Sequence, residues 1–414
     1  MKILLVNKYF FPRGGAEASF FEEGALLEKK GHKVVHFSMA HPRNIPSPYS
    51  SYFVSRVEFE DSASWLDKGK AGGRMLFSWQ ARQRLAALIK AEQPDVAHLH
   101  NIYHHISPSI LPVLKKAKVP IVLTFHDFKF VCPVFTLYRN GRTCEECRGG
   151  RFLHCLQHKC SKNSYLKSAL CTLEMYVHHS VFDIYKPVDC FICPSRNLKN
   201  KMAGRVDDRK LFHLTNFITE IPPFAPFPIG GQTVVYFGRL SREKGLPTLL
   251  KAVKGLAVRC LIIGEGPERA AVEKFKKEER LDNVTCLGYL QPKQVQAYIR
   301  QAAFTVLPSE WYENSPRAVL ESFALGRAVV SSRIGGLPEL VIDEETGLTF
   351  EAGNAHDLRE KIVQLLDNPR KAEELGRTAR RFVQAQLGAE DHYQSLMKIF
   401  EIARHSAELP GLKA

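Results

Sequence analysis

The sequence predicts an α/β protein made of two domains, each a parallel sheet covered by helices. Three observations carry this expectation. At 414 residues the chain exceeds what one ordinary core supports, so two domains of about 200 residues are expected. The chain opens on a short apolar strand, a glycine turn, a helix and a second apolar strand, a βαβ pattern that requires a parallel sheet. The same alternation restarts near residue 233, just after Ile221–Gly231, where four prolines in eleven residues read as an extended linker.

In the first half, Lys2–Val6 reads as a buried strand, and Pro12-Arg13-Gly14-Gly15-Ala16-Glu17 leads into a helix ending near Lys30. Gly31 stops that helix and Lys33–Phe37 is the second strand. The Gly14-Gly15 pair lets backbone approach a ligand at the C-terminal end of the first strand. Residues 42–75 show no sustained period and many Ser and Pro, which predicts a long loop. Helices near Trp79–Glu92 and Ile110–Ala117 lead to strands at Val96–His100 and Pro120–Phe125. The latter ends in His126-Asp127, and α/β folds place ligands at such strand ends, so His126 is a candidate functional residue. His98, His100, His104, His105 and His126 also raise the question of a metal. Two of them sit two apart on a strand and no well-spaced set of carboxylates accompanies them, which argues against one. A helix over Leu166–His179 and strands at Cys190–Cys193 and Leu211–Leu214 complete this half.

Between them lies the segment Cys132–Cys171, with Cys144-Glu-Glu-Cys147 and Cys155-x4-Cys160 inside it. Two close thiol pairs suit tetrahedral structural zinc on Cys144, Cys147, Cys155 and Cys160, and a segment without its own core gains from such a staple. The second gap is wider than in a standard zinc ribbon. Unliganded thiols and a disulfide are the alternatives.

The second half repeats strand and helix. Thr233–Phe237 enters Gly238-Arg239-Leu-Ser-Arg-Glu-Lys244-Gly245, Arg259–Ile263 enters Gly264-Glu-Gly266-Pro267, and Phe304–Leu307 delivers the chain to Glu313-Asn314-Ser315-Pro316. Ser315 and Pro316 predict a helix start, with a hydroxyl cap and proline at the first helical position. Val319, Leu320 and Phe323 stripe that helix, Gly326 ends it, and Glu321 projects from its second turn. Arg239 offers a planar fork and Lys244 a point charge, a combination suited to a diphosphate, and Gly238 and Gly245 permit close backbone approach. Glu313 and Glu321 suit hydroxyl groups, those of a sugar and of a ribose. Such a set describes a nucleotide-sugar site.

Gly238–Gly245, Gly264–Pro267, the Glu313-x7-Glu321 pair and Gly335-Gly-Leu-Pro-Glu339 resemble the retaining glycosyltransferases of the GT-B fold, family four (the group 1 glycosyltransferases). Gly14–Glu17 and Thr124–Asp127 are similar to that family too. The resemblance implies two Rossmann-like domains facing across a cleft. It places the acceptor-side domain at 1–218, the nucleotide-sugar domain at 219–390, and the helix 391–414 back on the first domain. It implies transfer of a sugar from a UDP- or GDP-sugar to an acceptor hydroxyl with retention and without a catalytic metal or other cofactor. Carried over by position, Arg239 and Lys244 hold the diphosphate, Glu313 the donor sugar, and Glu321 the ribose. The Asn314–Pro316 backbone lines the sugar pocket, His126 sits by donor and acceptor, and Gly14-Gly15 passes near the phosphate. Departures from the family pattern are Asn314-Ser315-Pro316 in place of Gly-Phe-Gly, Phe217 after Asn216 in place of glycine, and the Cys-rich insertion 132–171.

Composition bounds the partners. Fifty-eight Lys+Arg against 43 Asp+Glu give a net charge of +15, which points to a phosphorylated ligand, an anionic membrane surface or nucleic acid. No stretch approaches the roughly 18 apolar residues of a membrane span, and Asn7, Lys8 and Arg13 interrupt any signal peptide. A cytoplasmic protein, peripheral on the inner membrane face and building a cell-surface polysaccharide or lipid-linked glycan, is the leading expectation, with no nucleic acid bound. A nucleotide-sugar epimerase or glycoside phosphorylase, and a zinc-containing nucleic-acid-binding protein, are the alternatives.

Overall fold

The computed structural model describes residues 1–56, 72–224, 226–228 and 231–408. Parts of the predicted 42–75 loop, the linker 221–231 and the terminal segment 391–414 lie outside the described residues. The chain forms two compact units, one of residues 1–136, 145–215 and 392–414, the other of 137–144 and 216–391.

The first unit is built on six strands: β1 (Lys2–Val6), β2 (Lys33–Phe37), β3 (Val96–Leu99), β4 (Ile121–Thr124), β7 (Cys190–Cys193) and β8 (Leu211–His213). Their order is β2-β1-β3-β4-β7-β8, and every pairing is parallel. Helices cover both faces of such a sheet, so its strands are continuous apolar runs such as Ile3-Leu-Leu-Val6. The chain leaves β1 toward β2 on one side and later returns to β3 on the other. This reversal opens a crevice at the C-terminal ends of β1 and β3. The last helix, Ala389–Glu408, puts Leu396, Ile399, Phe400 and Ala403 into the core beside Ile3, Leu5, Val96 and Ile192. The helix Arg196–Met202, capped by the Ser195 hydroxyl, has too short an apolar stripe to announce itself in the sequence.

The second unit carries the antiparallel pair β5 (Tyr138–Arg139) and β6 (Arg142–Thr143), and a six-stranded sheet. The sheet comprises β9 (Thr233–Phe237), β10 (Arg259–Ile263), β11 (Val284–Gly288), β12 (Phe304–Leu307), β13 (Val329–Ser332) and β14 (Gly347–Phe350). Its order is β11-β10-β9-β12-β13-β14, again parallel throughout. The reversal here falls between β9 and β12, so the loops that follow these two strands share one crevice.

Two expectations change. The described part of the proline-rich segment is no free linker. The carbonyls of Pro222, Pro223 and Pro226 accept hydrogen bonds from Arg380, Arg300 and Arg327 at 2.8, 3.3 and 2.9 Å, which ties it to the second unit. Residues 137–144 of the Cys-rich insertion also group with the second unit, where the Tyr138 hydroxyl donates to Glu310 at 3.1 Å.

Phe400 is 0% exposed, so Phe400→Ala should lower stability by about 3–5 kcal/mol in urea unfolding. Ile402→Ala on the same helix, at an exposed position, should change it by no more than about 0.5 kcal/mol.

Candidate active site

The loops after β9 and β12 are locked together backbone against backbone. Gly245 has φ +67°, and a Cβ there would fall 1.8 Å from the carbonyl oxygen of Pro308. Gly335, after β13 with φ +62°, lies against the Glu313 backbone, where a Cβ would meet both N and O at 2.5 Å. The adjacent Gly336 N–H donates to the Glu313 carbonyl at 2.6 Å. In the loop after β10, Gly264 packs on the Gly238 carbonyl. No side chain larger than hydrogen fits at these contacts. Gly245 thus serves loop-to-loop packing, whereas Gly238 takes φ +150° and a Cβ there would meet nothing nearer than the Tyr236 hydroxyl at 3.4 Å.

This scaffold sets a pair of opposite charges. Lys244 Nζ lies 2.6 Å from Glu313 Oε1, which also accepts from the Ser309 hydroxyl at 2.6 Å. The Lys244 ammonium stands 5.0 Å from the centre of the Trp311 ring. Glu313 is buried. Burial by itself would raise its carboxyl, but the Lys244 charge and the hydrogen bonds from Lys244 and Ser309 outweigh that and hold it below its ordinary value. Glu313 is therefore a carboxylate at neutral pH.

Arg239 is exposed in the same loop, with its carbonyl fixed by the Tyr236 hydroxyl at 2.8 Å. Glu310 accepts from Thr248 at 2.7 Å and from Tyr138, so the loop after β12 is also anchored to the helix Leu246–Val253. The helix carrying Glu321 is Arg317–Ala324, one residue shorter at its start than expected. Pro316 is extended (φ −70°, ψ 123°) and takes the cap position, and the buried Ser315 hydroxyl finds no hydrogen-bond partner there. The Ser315 carbonyl accepts from Asn216 at 2.8 Å. Glu321 sits in the second turn, 3.5 Å from Arg317 Nε.

In the first unit, Gly14 caps the helix Gly15–Lys29 with extended backbone (φ −167°) and no side-chain cap. That conformation is open to any residue, so it does not by itself explain a glycine. His126 follows β4 and stacks on His100, with Nε2 2.8 Å from His100 Nδ1. Burial, reinforced by His100, pushes its imidazole well below the usual histidine range. At neutral pH it is a hydrogen-bonding group without charge.

Sequence reasoning missed a buried polar network nearby. Lys129 Nζ lies 2.6 Å from Glu174 Oε2, both buried, and His104 approaches the same oxygen at 3.6 Å. Burial opposes ionisation of Glu174, but Lys129 and His104 overcome it and bring the carboxyl down to about 2. The one available signal was a lone lysine inside the apolar run Phe128-Lys-Phe-Val131.

The candidate zinc ligands are not brought together. Cys147, Cys155 and Cys160 join one apolar cluster with Phe152, Met175 and Cys171, whereas Cys144 groups with the second unit. Among the described residues, no three of these sulfurs lie within 4.8 Å of one another. Cys155 lies in the short helix Leu153–Gln157, and Cys160 closes the turn after it by donating its N–H to the Cys155 carbonyl at 3.1 Å. A hydrogen bond with Cys160, and then burial, push the Cys155 thiol up, away from the thiolate a metal needs. None of the ten cysteines forms a disulfide.

Residues 218–382 match the family model for glycosyl transferases group 1, and residues 13–219 match that for Glycosyltransferase Family 4. The chain is 29% identical over 195 residues to an uncharacterized glycosyltransferase of Methanocaldococcus jannaschii, covering 47% of this chain and 54% of that protein, so it spans about half of that relative's length. It is 24% identical over 355 residues to an uncharacterized 42.6 kDa protein in the cps region of Klebsiella pneumoniae, covering 82% and 87% of the two chains. Sucrose-phosphate synthase from Thermosynechococcus elongatus shares the fold with a TM-score of 0.72 at 20% identity, over 98% of this chain and 99% of that one. The Anabaena protein HepE, solved in complex with UDP and glucose, does so with a TM-score of 0.67 at 15% identity, over 97% and 99%. Both likenesses concern the fold, two parallel-sheet α/β domains of the GT-B type.

Lys244→Met should leave the Glu313 carboxylate buried without its cation and lower stability at pH 7 by up to about 3 kcal/mol. The sign with pH follows from the depressed carboxyl of Glu313. Stability from the pair is complete above the unfolded-state value near 4.5 and is lost as pH falls through the lower folded value. The difference between wild type and Lys244→Met in urea unfolding should therefore shrink steadily below about pH 4.5.

Proposed function

The chain belongs to the group 1, family 4 glycosyltransferases of the GT-B fold, and from that premise we propose that it moves a sugar from a nucleotide-sugar donor to an acceptor hydroxyl with retention of anomeric configuration. The observation that carries this reading is the placement of Arg239, Lys244 and ionised Glu313 on the loops after β9 and β12, at the reversal point of one parallel sheet. A diphosphate there meets two cations. Arg239 is exposed and ready to take it as a fork, while Lys244 shares its ammonium between Glu313 and the incoming phosphate.

Departure of the nucleotide diphosphate builds negative charge on the phosphate oxygen at the sugar. Fixed cations at that point stabilise the transition state more than the ground state. Glu313, held ionised and already oriented by Ser309, accepts hydrogen bonds from hydroxyls of the donor sugar, and Glu321 from those of the ribose. The Asn314–Pro316 backbone lines the sugar pocket. His126, neutral at physiological pH, suits a hydroxyl partner better than a phosphate. The Gly14-Gly15 turn, with its uncapped helix start, offers N–H groups to the phosphate.

The reading extends to a UDP- or GDP-sugar as donor and to a polysaccharide or lipid-linked glycan as acceptor. UDP complexes of a GT-B neighbour support the donor class. Among the described residues, no helix is long and apolar enough to cross a membrane. The net charge of +15 supports work at an anionic surface that carries the acceptor. Neither an epimerase nor a phosphorylase is favoured by the family matches. The nucleic-acid reading loses the zinc module on which it rested.

A thermal-shift panel of UDP-, GDP- and ADP-sugars tests the proposal. The cognate donor should raise the melting temperature in a concentration-dependent way. Arg239→Ala should weaken its affinity by about 10–100-fold, equivalent to roughly 1.5–3 kcal/mol for a charge-assisted contact. No response to any of the sugars would end the transferase reading.

A further inference from the structure

The Cys-rich insertion contains a helix whose two faces are exchanged. The helix Tyr165–Tyr176 buries Ser168, Thr172, Glu174 and Met175, three of them polar. Each inward polar group is bonded. The Ser168 hydroxyl accepts from the Ser161 N–H at 3.0 Å, the Thr172 hydroxyl donates to the Phe152 carbonyl at 3.3 Å, and Glu174 pairs with Lys129. These bonds fix which face of the helix turns inward, because rolling it would strand a buried carboxylate and a buried ammonium.

The outward face carries leucines. Leu166 and Leu173 are seven residues apart, two turns along one face, and among the described residues they are 81 and 50% exposed. Ala169 and Leu170 lie between them, half-buried. Tyr165, at the start of the helix, is also exposed. A π-helical turn, Val177–Val181, continues the helix, and Val181 and Phe182 are again exposed. Single surface leucines are ordinary, but a helix normally turns such a stripe toward the core. Here it faces outward over a polar underside, the mark of an interaction surface.

Charge selects the partner. Residues 148–186 hold six basic side chains, Arg148, Arg151, Lys159, Lys162, Lys167 and Lys186, against Glu174 and Asp183. Glu174 is neutralised by Lys129. Lys159 and Lys162 are exposed just before the helix, and the Lys159 ammonium lies 4.4 Å from the centre of the Tyr165 ring. Leucines flanked by lysines and a ring with a polar tip suit the boundary between acyl chains and anionic headgroups.

We propose that the helix Tyr165–Tyr176 and the turn after it dock the protein on an anionic lipid bilayer. Leu166 and Leu173 enter the acyl boundary while Lys159 and Lys162 meet headgroup phosphates. On its inner side the helix is held through Glu174 to Lys129, whose N–H donates to the Asp127 carboxylate at 2.9 Å, one residue after His126. The docking face is thus rooted in the loop proposed to meet the acceptor. The inference rests on the transferase reading for that role, whereas docking itself needs neither donor nor acceptor.

Co-sedimentation of the full-length protein with vesicles tests it. Vesicles of equal parts phosphatidylglycerol and phosphatidylcholine should bind at least about tenfold more tightly than pure phosphatidylcholine, and the difference should fade as salt is raised. Leu166→Asp combined with Leu173→Asp should weaken binding roughly 10–100-fold without lowering the melting temperature, since both positions are exposed. Lys159→Gln combined with Lys162→Gln should weaken it about 10–30-fold. Tyr289→Asp, at an exposed aromatic of the second unit, should bind as wild type does. Failure to bind anionic vesicles, in a protein that a nucleotide-sugar still stabilises, overturns the docking surface and leaves the transferase reading standing. Binding that ignores the leucine pair, or a dimer in light scattering that the leucine pair abolishes, overturns it as well.

Discussion

The ion pair between Lys244 and Glu313 is the constraint to which the second unit's loops answer. A carboxylate as deeply buried as Glu313 is stable only beside a cation with its remaining lone pairs hydrogen-bonded. Ser309 and Lys244 meet that requirement from two loops, and those loops reach each other only because Gly245 and Gly335 have no side chains. The sheet order explains why these two loops meet at all. Strands β9 and β12 are far apart in sequence but adjacent and parallel in space, and the direction in which successive strands are added to the sheet reverses between them.

On the proposed function, these charges are in place before a donor arrives. Preorganised charge stabilises a departing phosphate without reorganisation at the moment of reaction. Glu313 is ionised, oriented and desolvated by its surroundings. Arg239 alone in this set remains exposed. His126 in the first unit is held in the opposite state, neutral through burial and a stacked imidazole.

Much of this was legible in the sequence wherever one physical cause dominated. Strands Lys2–Val6, Lys33–Phe37, Cys190–Cys193, Thr233–Phe237, Arg259–Ile263 and Phe304–Leu307 are apolar runs buried on both faces, and nothing else in the chain competes with that pattern. The helix Ala389–Glu408 carries Tyr393, Leu396, Met397 and Phe400 at amphipathic spacing, a signal of the same kind. Residues whose role depends on distant partners were not legible. Glu23 looks like an ordinary charge on a helix until β3 and the last helix bring three imidazoles to it. The histidine-rich stretch lacked a nearby carboxylate only in sequence. Thiol spacing misled for the converse reason, since Cys144 and Cys147 are close along the chain yet belong to different units. The helix start at Ser315-Pro316 shifted by a residue because Pro316 itself takes the extended cap conformation.

Amide hydrogen exchange with and without a nucleoside diphosphate tests the central claim most directly, because it reads the loops themselves. The account predicts slowed exchange over Gly238–Gly245 and Glu313–Arg317, largely lost in Arg239→Ala, with the strands of both sheets unchanged. Binding that protects neither loop, or that survives Arg239→Ala unaltered, would contradict it.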